Sequence, residues 1–344
     1  MTTSKSNVNS DQAAGLPYDA VIAVTYRCNA RCLMCNIWQN GGSEDLDIAL
    51  LSKLPDSLRY VNISGGEPFL RKDLPEVIEA VTKACPRAQI IISTNAILPG
   101  AKLREKMAAI RGISPGIGIA VSIDGLGETH ERVRGVKGVF DRAVSLIEGL
   151  KEDGMQNIRI AFTIFDENVR DYHEVYALSR RLGVEFTSAV AQSSDHYFQG
   201  SGMKQAAVED IREQLGKVAA SELTTFEPKR WVRAYFNRGL YTFAEGGGRP
   251  LSCHAAGDFF FMSPAGTIYP CNVMDFPVGN LRDASFDGIW NSKAAIEARA
   301  RVQACQMGCW MVCTARSAIK RNPAKVASWV AAGKARAHAG KPVF

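Results

Sequence analysis

Short apolar runs alternate with amphipathic stretches along the first half of the chain. The runs are rich in Val and Ile, as buried strands are, and the stretches between them place apolar residues three and four positions apart, as one helix face does. Strands are predicted at 20–25, 59–64, 89–94, 117–123, 157–165 and 184–190. Helices are predicted at 73–84, 101–111, 140–152 and 172–182.

Strands that alternate with helices about every 30 residues predict βαβ units and a parallel sheet over residues 18–192. A barrel and an open doubly wound sheet both fit this pattern, because alternation alone does not separate a closed sheet from an open one. In a barrel, polar motifs that directly follow strands share the face at the carboxyl ends of the strands.

After residue 193 the alternation stops. Two predicted helices near 205–220 and 229–244 lead to three glycines at 246–248, which predict a hinge, and a β-hairpin is predicted with its turn at 263–266. The sequence therefore predicts a disordered tail at 1–17, a core at 18–192, a helical linker at 193–250, a cysteine-rich domain at 251–318, and a closing helix and tail at 319–344.

Composition excludes several classes of protein. Of 344 residues, 41 are basic and 35 acidic, a mild surplus of +6 without a dense Lys/Arg run, so no nucleic-acid partner is expected. No apolar stretch approaches the roughly 20 residues that a membrane helix needs, and the polar N-terminal residues lack the apolar core of a signal peptide. We expect a cytoplasmic protein without a membrane partner.

Nine cysteines change this picture. An odd number in a reducing compartment does not fit a disulfide framework, and six of the nine fall into two tight groups. Cys28, Cys32 and Cys35 have C-x₃-C-x₂-C spacing directly after the first strand. Thiolates suit zinc or iron–sulfur clusters, and three of them leave one metal position open. A helix with the three thiols on its buried face is the alternative, and Cys85 is expected to be core filler.

The cysteine triplet, taken with Gly65, Gly66, Glu67 and Pro68 after the second strand, resembles the radical S-adenosylmethionine superfamily over residues 18–316. The resemblance implies a partial (β/α)₆ TIM-type barrel and a [4Fe–4S] cluster on the triplet. It also implies that the open iron binds S-adenosylmethionine, whose reductive cleavage gives a 5′-deoxyadenosyl radical that abstracts a substrate hydrogen. A flavodoxin- or ferredoxin-type electron donor is implied as well.

The resemblance assigns further contacts with S-adenosylmethionine. The turn from Gly65 to Pro68 matches the motif that binds the methionine amino group through its backbone and Glu67, and the glycines allow close backbone approach. Four other positions match residues that contact the ribose or the methionine: Asn95, Ser122, Asp124 and Arg134. A cap, a turn or a salt bridge is the alternative for each of these four. The residue before the third cysteine is often aromatic in the family but is Met34 here, and Trp38 either compensates or simply packs.

The second group of cysteines has its own signature. Two cysteines enclose Gly266 in a C-x₁₂-G-x₄-C arrangement, and three more follow with C-x₃-C-x₃-C spacing; these are Cys253, Cys271, Cys305, Cys309 and Cys313. They resemble the SPASM/Twitch extension, a smaller α+β iron–sulfur domain. Five thiols are too few for two four-thiolate clusters, so one auxiliary cluster, expected to be [4Fe–4S], is predicted, with Cys305 or Cys313 spare. A zinc knuckle is the alternative.

The predicted function is hydrogen abstraction from a small molecule of sugar, aminocyclitol or nucleoside type, leading to dehydrogenation, epimerisation or decarboxylation. The predicted core begins after about 17 polar residues, so we expect no N-terminal peptide-recognition domain. A peptide-modifying maturase is the alternative, and a non-catalytic iron–sulfur or zinc protein is the contrasting class. Asp195, His196 and Tyr197 follow the sixth strand, so His196 is a candidate for substrate contact.

Overall fold

A computed structural model of the protein describes residues 15–40, 45–198 and 204–344. Residues 1–14, which make up most of the predicted tail, lie outside the described residues. Six parallel strands follow in chain order across one sheet: β1 (Asp19–Thr25), β2 (Tyr60–Gly65), β3 (Gln89–Thr94), β4 (Gly118–Ser122), β5 (Ile158–Ile164) and β6 (Glu185–Val190). The sheet is not closed, because β6 forms one of its edges. This architecture confirms the predicted partial (β/α)₆ barrel.

Helices connect the parallel strands and continue into the second half of the chain. The first five are α1 (Leu74–Ala84), α2 (Gly100–Ile113), α3 (Gly127–Arg134), α4 (Val139–Glu152) and α5 (Tyr172–Leu182). The others are α6 (Val208–Leu223), α7 (Pro228–Ala244), α8 (Phe286–Trp290), α9 (Lys293–Gln303), α10 (Val312–Arg321) and α11 (Pro323–His338). The sequence predicts α1, α2, α4 to α7 and a closing helix. It does not predict α8, α9 and α10, nor α3, which is polar except at Val133.

Helix α1 shows how the predicted pattern becomes packing. Its apolar positions, Leu74, Val77, Ile78 and Val81, are all buried, as the spacing predicts. Cys85 follows the helix as its C-cap, is 1% exposed, and its thiol lies 3.5 Å from the Pro55 carbonyl. The prediction that Cys85 fills the core is confirmed.

Strand β5 separates two environments by its period of two. Ile158, Ile160, Phe162 and Ile164 are buried, whereas the residues between them are only partly covered. These partly covered residues, Arg159, Ala161 and Thr163, face cavities inside the barrel. The interior of this barrel is therefore hollow along β5 rather than filled by large apolar side chains.

The C-terminal hairpin extends the barrel sheet. β7 (Phe259–Met262) runs parallel to β1, in register from Asp19 opposite Phe259 to Ile22 opposite Met262. β8 (Thr267–Tyr269) and β9 (Gly279–Asn280) then add antiparallel strands. The turn between β7 and β8 holds Gly266 at φ +83°, which confirms the predicted hairpin. Because β7 bonds to β1, the cysteine-rich segment has a fixed position beside the barrel.

Phe260 anchors this hairpin. It is fully buried, with its ring centroid 5.1 Å from that of Phe286 and 6.0 Å from that of Trp290.

No helix among the described residues is long and apolar enough to cross a membrane.

We expect Phe260→Ala to lower the free energy of unfolding by about 3–5 kcal/mol, because it leaves a cavity between β7 and α8. Phe226→Ala is the matched control: Phe226 is 94% exposed, and the change should stay within about 0.5 kcal/mol. Denaturant titration followed by circular dichroism measures both. Equal effects of the two variants would contradict the anchoring role of Phe260.

Candidate functional site

A cavity of about 280 Å³ lies at the carboxyl ends of the parallel strands. We call it the upper cavity. Its wall contains the three clustered cysteines and five of the residues predicted to contact S-adenosylmethionine: Gly65, Gly66, Asn95, Ser122 and Arg134. The structure thus gathers, at one place, residues that are far apart in the sequence.

The cysteine triplet lies in a loop after β1, as predicted, and not on a helix. Two backbone hydrogen bonds fix this loop to the end of α3: Arg31 N donates to the Arg134 carbonyl at 3.0 Å, and Leu33 N donates to the Val133 carbonyl at 2.9 Å. Helix α3 therefore positions the loop as well as supplying Arg134.

Two side-chain donors reach the sulfurs. Asn95 Nδ2 lies 3.8 Å from Cys28 Sγ, and an Arg134 terminal nitrogen lies 3.6 Å from Cys32 Sγ. Burial raises the pKa of Cys28 to about 12 and that of Cys35 to about 11. Burial also raises the pKa of Cys32, and the Arg134 guanidinium opposes that shift. Donors directed at buried thiols suit sulfurs that carry negative charge when they bind metal.

The two glycines bring the second motif against the loop. Gly66 N donates to the Thr25 carbonyl at 2.8 Å, and Glu67 N donates to the Arg27 carbonyl at 2.9 Å. A Cβ atom on Gly65 would lie 2.1 Å from the Thr25 oxygen, and one on Gly66 would lie 2.2 Å from the Arg27 oxygen. Only glycine permits this approach, which holds the turn beside the segment that leads into the triplet.

Glu67 lies behind the cavity wall, where it is 1% exposed. Its carboxylate accepts hydrogen bonds from Phe69 N at 3.1 Å, Thr94 Oγ1 at 3.0 Å and Asn95 N at 2.7 Å. Burial raises the pKa of Glu67 to about 7, and these three donors oppose the shift. Glu67 therefore ties the glycine turn to the end of β3. Its predicted contact with S-adenosylmethionine stays a prediction, as does that of Pro68, which is also buried.

Asp124 lies behind the wall as well and is fully buried. One of its oxygens accepts from Thr163 N at 2.6 Å, and the other forms an ion pair with Arg134. Asp124 N donates to Nδ1 of His130, which is also fully buried, at 2.9 Å. Burial lowers the pKa of His130 to about 3, so the ring is neutral and caps Asp124 N. In this arrangement Asp124 orients Arg134, and its predicted contact with the cofactor stays a prediction.

Two neighbouring residues after β6, His196 and Tyr197, contact different parts of the structure. Tyr197 lines the upper cavity, with its hydroxyl 2.7 Å from Ser64 Oγ. The ring of His196 instead stacks on Tyr269 at a centroid distance of 4.1 Å. One of its nitrogens pairs with Asp275, and the other lies 3.1 Å from the Cys271 carbonyl oxygen. His196, a sequence candidate for substrate contact, thus joins the barrel to the cysteine-rich segment.

Met34, the residue before the third cysteine, lines the upper cavity. Trp38 does not contribute to the described wall, and the Arg31 guanidinium lies 4.6 Å above its ring. Of the two possibilities for Trp38, the structure shows packing.

The second group of cysteines lines one small apolar cavity: Cys253, Cys271, Cys305, Cys309 and Cys313. Met274 N lies 3.2 Å from Cys271 Sγ, and an Arg249 nitrogen lies 4.0 Å from Cys309 Sγ. Burial raises the pKa of Cys271 to about 12 and that of Cys309 to about 11.

Both groups of thiols fit an iron–sulfur cluster by their donors. Arg134 Nε and Arg249 Nη2 are buried and have no hydrogen-bond partner in the described part of the chain. Each belongs to a guanidinium that already lies beside a cysteine sulfur. A bound iron–sulfur cluster would therefore place hydrogen-bond acceptors beside these two guanidinium groups, whose N–H donors are otherwise unpaired.

Comparison with known families gives two matches. Residues 22–178 match the model of the radical SAM superfamily, and residues 253–313 match that of an iron–sulfur cluster-binding domain, SPASM. The chain belongs to the radical SAM superfamily of enzymes. It carries the SPASM domain at its C-terminal side, and its cofactors are S-adenosylmethionine and [4Fe–4S] clusters.

Individual relatives differ in how much they share with this radical SAM chain. It is 34% identical to the Fe-coproporphyrin III synthase of Methanosarcina barkeri over 45% of the chain and 39% of that protein. It is 27% identical to the mycofactocin maturase MftC of Mycolicibacterium smegmatis over 83% of the chain and 76% of that protein. The chain thus spans about two fifths of the first relative and about three quarters of the second.

The fold has solved counterparts. Streptococcus suis SuiB bound to S-adenosylmethionine is 18% identical, with a TM-score of 0.59 over 81% of this chain and 66% of that chain. At this identity the match shows the shared fold of a partial barrel with a smaller C-terminal domain.

Several residues of the site were not predicted from the sequence. Asn62, Ser93 and Thr163 line the upper cavity from β2, β3 and β5. The period of two could have found them, because each faces the same side of its strand as another cavity residue. Asn272 and Met311 come from the SPASM segment, and no local pattern indicates that they reach the barrel.

Gly66→Ala tests the glycine clamp. We expect at least a tenfold loss of affinity for S-adenosylmethionine, because the added methyl group forces the turn away from Arg27. Equilibrium dialysis with labelled S-adenosylmethionine measures it. Gly116→Ala is the matched control, since a Cβ there meets nothing within 4 Å. Unchanged affinity in a folded Gly66→Ala protein would contradict the clamp.

Iron analysis tests the two groups of thiols. A protein with two [4Fe–4S] clusters binds about eight iron atoms. The Cys28/Cys32/Cys35 triple alanine variant should lose about half of this iron. Each of the five SPASM cysteines is also replaced singly by alanine. Four of these variants should lose the iron of the auxiliary cluster, and one, at either Cys305 or Cys313, should keep it. Cys85→Ala serves as the control. Full iron in the triple variant would refute the N-terminal assignment.

Proposed function

We propose that the protein cleaves S-adenosylmethionine reductively and uses the resulting radical to abstract hydrogen from a small organic substrate in the upper cavity. The observation that supports this most directly is the convergence of three buried thiols, the glycine turn and Arg134 on one cavity. When bound, the cluster on the triplet supplies the electron that splits the sulfonium into methionine and a 5′-deoxyadenosyl radical.

The chain's own residues prepare the cavity for this chemistry. The glycine turn offers backbone groups at the wall, because Gly65 and Gly66 have no side chain to cover them. Arg134 is held by Asp124 from behind and presents a fixed positive charge, which suits the carboxylate of the methionine moiety. Asn95 and Ser122 add polar groups at neighbouring strand ends.

The wall also limits access of water to a reactive radical. Apolar side chains line the upper cavity from the triplet loop, from the end of β6 and from the SPASM segment: Met34, Ile37, Val190, Phe198 and Met311. A partly enclosed, mainly apolar wall protects reactive intermediates from side reactions.

The dimensions of the cavity favour a small substrate. Its volume of about 280 Å³ is just below the usual range for small-molecule sites, and S-adenosylmethionine has to share that space with the reacting part of the substrate. The relative named as an Fe-coproporphyrin III synthase also acts in making a small molecule. We therefore favour a small-molecule substrate, with dehydrogenation, epimerisation or decarboxylation as the outcome.

A maturase function is the second candidate. It is supported by the match to the mycofactocin maturase, which covers more of this chain than the match to the coproporphyrin enzyme does. A peptide would have to present a single side chain to the upper cavity. A flavodoxin- or ferredoxin-type protein is the proposed electron donor in either case.

Release of 5′-deoxyadenosine tests the proposal. The protein is reconstituted with iron and sulfide without oxygen, reduced with dithionite and given S-adenosylmethionine, and the products are separated by liquid chromatography. We expect release from the unaltered protein and at least a hundredfold slower release from the triple cysteine variant. Cys85→Ala should match the unaltered protein. Equal rates in the triple variant, or no release under several reductants, would refute the function.

A further inference from the structure

The interior of the barrel continues below the upper cavity. A middle cavity of about 210 Å³ shares Asn62, Ser93 and Thr163 with the upper cavity. A cleft of about 410 Å³ at the amino ends of the strands shares Arg159 and Arg316 with the middle cavity. We call this cleft the base cleft.

Small side chains keep this interior open. Three alanines line the middle cavity: Ala120 on β4, Ala161 on β5 and Ala189 on β6. Large branched residues usually fill the interior of a barrel. Here the alanines leave a space that connects the walls of the base cleft to those of the upper cavity.

The base cleft is strongly basic. Five cationic side chains line it, against one carboxylate, that of Glu185: Arg159, Lys229, Arg233, Arg316 and Lys320. Glu185 is shared between Lys229, at 2.9 Å, and Arg233. Arg316 forms an ion pair with Asp19 at 2.8 Å, and Asp19 lines the middle cavity. Carboxylates of the chain therefore neutralise only part of the positive charge.

Neither Arg159 nor Lys320 forms an ion pair within the described ranges, and Lys320 is exposed whereas Arg159 is partly buried. Arg159 Nη2 donates to Asn157 Oδ1 at 2.9 Å, but Arg159 Nε is buried without a partner in the described part of the chain. Burial lowers its pKa, and Glu185 opposes this shift. A buried guanidinium with an unsatisfied N–H is suited to a carboxylate supplied by a ligand.

Apolar side chains form a large part of the remaining cleft wall. Ile91, Phe186, Val232, Phe236 and Ile319 face the same space as the cations. A free inorganic anion would leave this apolar surface uncovered. The combination fits a molecule that has an apolar body and one carboxylate.

We propose that the base cleft binds the carboxylate end of an elongated, partly apolar substrate whose other end reaches the upper cavity. This rests on the proposed function, because it assigns the reacting end to the S-adenosylmethionine site. Arg159 and Thr163 are four residues apart on β5, which sets a separation of about 13 Å between the carboxylate and the reacting region. The exposed Lys229 lies at the rim, where it attracts the anionic end.

The test uses ω-phenylalkanoates as probes, with their neutral amides as controls. Isothermal titration calorimetry is run without oxygen on the protein with both clusters and S-adenosylmethionine bound. We expect 4-phenylbutyrate to bind at least tenfold more tightly than its amide, and more tightly than inorganic phosphate. Arg159→Met should remove the preference for the carboxylate. Arg180→Met, a change at an exposed arginine on α5, should leave it intact.

Probe length tests the link between the two ends. A 12-phenyldodecanoate probe should alter the electron paramagnetic resonance spectrum of the reduced N-terminal cluster, and 4-phenylbutyrate should not. Equal affinity for acid and amide, or a preference that survives Arg159→Met, would overturn the proposal. If the protein prefers carboxylates but the long probe leaves the spectrum unchanged, the assignment of the base cleft as part of the substrate site is overturned.

These outcomes are distinguishable from failure of the proposed function. Calorimetry requires no cleavage of S-adenosylmethionine, whereas the proposed function is tested by 5′-deoxyadenosine release from the same samples. Loss of release with the Arg159-dependent preference intact would refute the radical chemistry alone. Normal release without the preference would refute the base cleft alone.

Discussion

The site depends on a backbone clamp between two segments of the chain. Gly66 N and Glu67 N bond to the carbonyls of Thr25 and Arg27, and the missing Cβ atoms make that approach possible. The clamp joins the β2 exit to the loop that carries the thiols. Because Glu67 is in turn bonded to the end of β3, three strand ends are fixed relative to one another before any ligand binds. Such preorganisation reduces the entropy that binding must overcome.

Sequence periodicity predicted the parts of the fold that depend on local order. The six strands, helices α1, α2 and α4 to α7, the hairpin and the face of α1 all follow from apolar spacing and turn residues. Helix α3 was missed because Val133 is its only aliphatic residue, so no apolar stripe marks it. That short helix nevertheless carries Arg134 and holds the cysteine loop. A helix fixed by tertiary hydrogen bonds leaves little trace in the local pattern.

The candidate site was predicted by residue type more completely than by geometry. The triplet, the two glycines, Asn95, Ser122 and Arg134 lie at the cavity wall, whereas Glu67, Pro68 and Asp124 support that wall from behind. Motif spacing indicates that residues act together, but it does not say which of them face the ligand. The orientation of His196 depends on Tyr269 and Asp275, more than 70 positions away, and no sequence signal connects them.

The same distinction applies to the interior of the barrel. Ala120, Ala161 and Ala189 are ordinary strand residues in the sequence, and only the folded structure shows that they line one cavity. Filling a barrel with large side chains gains apolar burial, so alanines at three positions of the cavity wall give up stability that this sheet could have had. Arg159, held below that space without a carboxylate of its own, adds a further cost of burial. Two costs at one place in the fold are more simply explained by a ligand than by packing.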